Sequence, residues 1–283
     1  MVWSKALILA GLLILSGCAT QQSKNPHVLS GEAPVEDVIA KADESLRAGD
    51  FRAAAILYQI AIGEDAQADY WYKLGVANAG LKQHSKAIYA YLQAVGMDEG
   101  HAGALEKLAL HFTAKGDAEE AGKYLNRLLE VDPDNWKAHN ALGVLADRRE
   151  AYAEARSHYL KALQLRPDLA MLWSNLGYSV YLLDEFEQAA VYMKRALELD
   201  PAFRAARLNL ALVHIRQAQY DAALAVLARE GGLAKAYTDL GYLSYRLGEY
   251  DKAEEFLLEA INQSPTFNRP AHTYLAAARQ ARE

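Results

Sequence analysis

Apolar and small side chains recur along most of this chain at one fixed interval. Leu74, Leu108, Leu142, Leu176 and Leu210 lie 34 residues apart, each followed by a small residue: Gly75, Ala109, Gly143, Gly177 and Ala211. Twelve positions beyond the small residue comes Ala87, Ala121, Ala155, Ala189 or Ala223, and Pro133, Pro167 and Pro201 keep the same spacing near the repeat ends. A period of this length predicts stacked helix-turn-helix units, none of which can bury its apolar face alone. Each Pro is expected to stop the second helix of its unit, having no N–H to donate and a ring that clashes with the preceding turn.

These positions resemble the tetratricopeptide repeat (TPR), whose pattern runs large residue, Leu-Gly, aromatic, turn, Ala, aromatic, Ala, Pro. One copy reads Trp173, Leu176-Gly177, Tyr181 one place late, Asp184-Glu185-Phe186, Ala189, Ala196 and Pro201. Another reads Leu142-Gly143, Tyr152, Ala155, Tyr159, Ala162 and Pro167. The resemblance implies an all-α superhelical solenoid of paired antiparallel helices, A and B, packed so closely that side-chain volume is limited where they cross. The small residue at the eighth position of helix A is then expected to face the Ala at the twentieth, on helix B. Repeats are placed at 35–67, 68–101, 102–135, 136–169, 170–203, 204–233 and 234–267, about seven hairpins, with a capping helix at 268–283 whose charges suit a solvent-facing end.

The sixth copy is short. Leu240-Gly241 follows Leu210-Ala211 by only 30 residues, and Glu230-Gly231-Gly232 stands where the end of helix B is expected. Four missing residues amount to about one helical turn, so this B helix should be short. Two readings are open: a neutral deletion, or a bend that shapes the binding surface.

The first 34 residues are built differently. Lys5, the apolar run from Ala6 to Leu15 and the closing Leu15-Ser16-Gly17-Cys18 have the form of an export signal, and the run is too short to span a bilayer. Leu-Ser-Gly-Cys resembles the bacterial lipobox, which implies cleavage after residue 17 and lipidation of Cys18; the other reading of Cys18 is an ordinary thiol after a signal peptide. Ala19 in place of Asp favours the outer membrane by the sorting pattern of enteric lipoproteins. Residues 18–34 then form the lipidated N-terminus and a polar tether punctuated by Asn25-Pro26, Ser30-Gly31 and Pro34. About 15 coil-like residues span roughly 20 Å.

Composition narrows the chemistry. With 52% hydrophobic and 23% charged residues in 283, the chain can bury a core. A formal charge of −6 argues against a broad nucleic-acid surface, and a single Cys excludes an intrachain disulfide or a CxxC metal framework. None of the eight His forms HExxH or a compact metal spacing, and there is no phosphate loop, so neither catalysis nor a cofactor is expected. His139 occupies the large-residue slot filled by Trp71 and Trp173 elsewhere.

In this repeat family the second, fifth, ninth, twelfth and thirteenth positions point into the concave surface. In the later copies they include Ser174, Tyr178, Tyr181, Arg216, Thr238, Tyr242, Tyr245 and Arg246, with Asn175 and Asn209 beside them at the sixth position. Asn175, Tyr178, Tyr181, Asn209, Arg216, Tyr242, Tyr245 and Arg246 form the candidate partner-binding groove, since Tyr, Asn and Arg combine flat apolar area with hydrogen bonding. The other reading is that the tyrosines fill gaps between hairpins. The family's carboxylate clamp needs Lys at the fifth and Asn at the ninth position. The third full copy has Asn140 and Val144 there instead, so that function is not carried over.

A lipobox followed by this array, with Asn175-Leu176-Gly177-Tyr178, Asn209-Leu210-Ala211-Leu212 and a shortened copy leading into Leu240-Gly241-Tyr242, resembles the TadD lipoproteins of the tight-adherence (Flp) pilus system. The likeness covers roughly residues 136–283 and the lipobox. It implies a periplasm-facing, outer-membrane-anchored adaptor that helps a secretin and other pilus proteins assemble. The alternatives are an adaptor recruiting cell-wall hydrolases or proteases, similar to NlpI-type lipoproteins, or a type IV pilus pilotin.

Overall fold

The computed structural model describes residues 34–282. The expected signal peptide, Cys18 and the tether up to residue 33 lie outside the described residues. Among those described there are fifteen α-helices and no strand.

The helices follow one another as antiparallel pairs. They are α1 (Val35–Arg47) with α2 (Phe51–Glu64), α3 (Ala68–Gly80) with α4 (His84–Met97), α5 (Ala102–Lys115) with α6 (Ala118–Val131), and α7 (Trp136–Arg148) with α8 (Tyr152–Leu165). Then come α9 (Ala170–Tyr181) with α10 (Phe186–Leu199), α11 (Arg204–Arg216) with α12 (Tyr220–Leu227), α13 (Gly232–Arg246) with α14 (Tyr250–Asn262), and α15 (Arg269–Arg282). Each pair packs against the next, and buried apolar clusters follow one another along the stack.

Local chemistry sets the helix ends. Asp50, His101, Asp117, Asn135 and Asn268 each accept a hydrogen bond from the backbone N–H three residues on, satisfying a donor the helix itself leaves free. Where a Pro follows, the helix stops two residues earlier: α6, α8 and α10 end at Val131, Leu165 and Leu199. The intervening Asp132, Arg166 and Asp200 are extended or nearly so, the backbone that a following Pro favours. Asp65 and Asp98, which no Pro follows, take the same form, so the Pro reinforces an ending the repeat makes in any case.

The A–B crossing differs from the sequence expectation in one respect. A Cβ built on Gly143 would lie 2.6 Å from the Tyr159 ring, one on Gly177 2.9 Å from Met193 Cγ, and one on Gly241 2.5 Å from Leu257 Cγ. The eighth-position glycine is therefore covered by the large side chain sixteen residues on, not by the methyl of the twentieth-position Ala. That Ala still marks the close approach, but through its backbone: the Ala189 and Ala253 carbonyl oxygens lie 3.3 and 3.2 Å from the same built atoms of Gly177 and Gly241. Tyr159 is buried in this seam and donates its hydroxyl proton to Asp147 at 2.8 Å.

The sixth pair carries the irregularity. α12 has 8 residues, against 13 or 14 in α10 and α14. The boundary expected after residue 233 falls earlier, because α13 already starts at Gly232, two residues inside the copy assigned to 204–233. Gly231 and Gly232 both have positive φ, 94° and 77°, which glycine adopts without steric cost.

Candidate functional site: the inner face of the A helices

From α7 onward successive A helices approach one another, α7 with α9, α9 with α11, α11 with α13 and α13 with α15, while successive B helices stay further apart. A stack with its A helices closer together curves with them on the inside. The candidate residues sit on that inner side and fall into two clusters.

The first cluster is built by α9, α10 and α11. Tyr178, 38% exposed, and the half-buried Tyr181 stand one turn apart with nearly parallel rings 6.0 Å between centroids. Tyr181 packs on Phe186 at 5.7 Å, and the Arg216 guanidinium lies over the Phe186 ring at 5.7 Å while pairing with Asp184 at 3.6 Å. Burial raises the Tyr181 hydroxyl above the usual tyrosine range, with nearby Arg216 working the other way.

The second cluster is built by α13 and α15. Arg246 Nη1 donates to the Tyr242 hydroxyl at 3.0 Å and its guanidinium covers that ring at 5.9 Å. Tyr242 also meets the Tyr274 ring of α15 at 4.7 Å. The hydrogen bond to Tyr242 holds Arg246 above its ordinary pKa.

The remaining candidates are placed differently. Asn175 donates its amide to Asn140 Oδ1 of α7 at 2.9 Å, and Asn209 donates to Ser174 Oγ of α9 at 3.4 Å, so both form rungs between successive A helices. Tyr245 meets the Tyr250 ring at a tilt, 6.0 Å between centroids, and packs against the core of α14 and α15. Ser174 and Thr238, assigned to the inner face by their repeat positions, are buried.

Three contributors escaped the positional rule. Asp184 belongs to the A–B turn and Phe186 opens α10, neither of which the rule covers, and Tyr274 lies in the terminal helix outside the numbered copies. Asp184-Glu185-Phe186 was visible as a turn motif, but only folding shows that it reaches back to Arg216.

Among the described residues, no group of three His, Cys, Asp or Glu could hold a metal ion, and no helix is long and apolar enough to cross a membrane. The arrangement offers flat aromatic faces and guanidinium groups on a curved wall. It is suited to holding a polypeptide by contact.

Stacked helix hairpins with an open inner wall define a helical-repeat scaffold. Tetratricopeptide repeat profiles match residues 39–102 and 106–170, 181–229 and 234–267. The chain belongs to the tetratricopeptide-repeat family. A crystal structure of a tetratricopeptide repeat protein from Parabacteroides merdae superposes with a TM-score of 0.61 at 16% identity, covering 87% of this chain and 98% of that one. PilF from Pseudomonas aeruginosa superposes with a TM-score of 0.53 at 21% identity, covering 76% and 99%. In sequence, the peroxisomal targeting signal receptor of Kluyveromyces lactis is 25% identical over 196 residues, 56% of this chain and 35% of the receptor. The chain spans well under half the length of the curated relatives it matches.

Proposed function

We propose that this chain is a lipid-anchored, periplasm-facing scaffold at the bacterial outer membrane. It binds protein partners along its inner wall, without chemistry of its own, and supports assembly of a tight-adherence (Flp) pilus secretin. The observation that carries the binding part is the pair of aromatic–guanidinium clusters, Tyr178–Tyr181–Arg216 and Tyr242–Arg246–Tyr274, side by side on the inner A helices. Tyrosine and arginine are the side chains that give most affinity per residue in protein contacts. Protein partners also accord with the name of the Kluyveromyces receptor, which is for a targeting signal. The PilF likeness is one of fold; the pilus reading draws instead on the Leu-Ser-Gly-Cys18 motif and the repeat residues from 136 onward.

The test is affinity purification of the full chain from its own membranes, with wild type beside the Tyr178→Ala, Tyr181→Ala double variant. The secretin should co-purify with wild type, fall at least tenfold with the variant, and lose its multimer when the scaffold is deleted. Recovery of cell-wall hydrolases with an intact secretin multimer rejects the pilus assignment. Unchanged capture with a lowered melting temperature shows the tyrosines to be core filler.

A further inference from the structure

The short α12 leaves an opening on the B-helix side. At about 1.5 Å per residue, α10 is roughly 21 Å long and α12 roughly 12 Å, so the wall that a full B helix would present beside the end of α10 is missing. In its place are two adjoining cavities of about 280 and 290 Å³ that share Leu197, Val226 and Arg229. Leu210, 3% exposed, lines the second. Their joint size falls in the range of pockets that hold small organic groups, roughly 300–1,000 Å³.

The charges around this cleft are unequal in their availability. Arg207, 5% exposed, is fully engaged: it donates to the Pro201 carbonyl at 3.0 Å and the Ala202 carbonyl at 3.4 Å, and it pairs with Glu230. Glu198 is taken up by Arg195 at 2.7 Å. Lys194 and Arg229 line the cleft, are exposed, and have no hydrogen-bond or ion-pair partner among the described residues. An apolar cleft is thus bordered by two uncommitted cations on a chain whose overall charge is −6. Charge of that sign at an aliphatic slot selects a ligand that presents an aliphatic side chain beside a carboxylate.

We propose that the cleft between α10 and α12 is a second docking site, distinct from the inner wall, for a partner-protein segment in which an aliphatic side chain adjoins a carboxylate. The aliphatic group lies against Leu197, Leu210 and Val226, and the carboxylate meets Lys194 and Arg229. The short sixth copy is then a built slot, and the site stands whether or not the partner on the inner wall is a pilus protein.

The probe is N-acetyl-leucyl-leucine, with N-acetyl-leucyl-leucinamide as its uncharged match, titrated into the full chain in detergent with Leu and Val methyl groups labelled for NMR. Saturable shifts are expected at Leu197, Leu210 and Val226, with the acid binding at least fivefold more tightly than the amide. Lys194→Glu with Arg229→Glu, both exposed positions that leave the core untouched, should reverse that preference. Val226→Trp, which fills the cleft, should abolish the shifts. The proposal is overturned by any of four results: no saturable shift, equal binding of acid and amide, a preference that survives charge reversal, or methyl shifts that follow protein concentration without probe. The last would make the cleft a contact with a second copy.

Discussion

The indole N–H of Trp173 donates to the carbonyl oxygen of Pro167 at 2.8 Å, joining the start of one hairpin to the chain that ends the one before it. The same join is made by other chemistry in two further copies. His139 Nε2 lies 3.1 Å from the Pro133 carbonyl, and Arg207 Nη1 lies 3.0 Å from the Pro201 carbonyl. Carbonyls just past a helix end have no partner within the helix, so the fourth residue of the next A helix supplies one. This gives His139 a structural task. Its Nε2 must carry the proton, leaving Nδ1 to accept from His158 Nδ1 at 3.3 Å, while burial and the neighbouring His139 hold His158 below the usual histidine range.

Trp173→Phe removes the donor and also trims the indole to a single ring. The loss should be at least the net value of an ordinary hydrogen bond, about 0.5–1.5 kcal/mol, with the reduced packing against Tyr192 adding to it. Urea denaturation measures it, and an unchanged midpoint would make the bond incidental.

Two glycines should respond oppositely to the same added methyl. Gly143→Ala drives its Cβ to 2.6 Å from Tyr159 and should cost about 1–3 kcal/mol by overpacking. Gly122, in the middle of α6, has nothing within 4 Å of a built Cβ, so Gly122→Ala should stabilise by about 0.5–1 kcal/mol through helix propensity. Thermal melts of the two variants should move in opposite directions.

Acid should separate two aspartates that both accept a tyrosine hydroxyl. Burial raises the Asp147 carboxyl above the ordinary range, only partly offset by the Tyr159 and Ser179 hydroxyls. Its ionisation therefore costs stability: the contribution is most favourable below the ordinary carboxylate pKa and is lost as pH rises through the raised value. For Asp43 burial also acts upward, but the Tyr58 hydroxyl and Lys73 outweigh it and the carboxyl is held low, so its contribution is present at neutral pH and lost as pH falls through the lowered value. Asp147→Asn should stabilise more at pH 7 than at pH 3.5. Asp43→Asn should destabilise at pH 7 and less in acid. Denaturation midpoints across that range decide both signs.

Cys18→Ser should leave the solenoid melting as before and move the protein from the membrane fraction to the soluble one. A single acyl chain binds only marginally, so stable retention by the unchanged protein implies several. Membrane retention of the variant that still requires detergent for release would remove lipidation from the account.

The fold was legible because its cause is periodic. Leu-Gly pairs, the Ala twelve residues on and the terminal Pro each answer one local demand, and the demand repeats. Packing detail was less so: which side chain covers Gly143 depends on how far helix B leans across helix A, and that brings Tyr159, not Ala155, onto the glycine. On the inner wall, position identified Tyr178, Tyr242 and Arg246. It could not tell that Asn175 is used as a rung or that Phe186 and Tyr274 complete the clusters, because those contacts join residues whose separation is not the repeat interval.

Gly231 and Gly232, consecutive and both left-handed, fall in the chain between the Tyr178–Arg216 cluster and the Tyr242–Tyr274 cluster. Two adjacent residues without side chains let the chain turn sharply there at little steric cost. The helices on either side still share one buried core, Ala211 and Ile215 of α11 against Ala236 and Leu240 of α13, so the offset between the two clusters is fixed by packing. A cargo that touches both must match that offset as built, and the length of the short copy becomes the ruler against which it is measured.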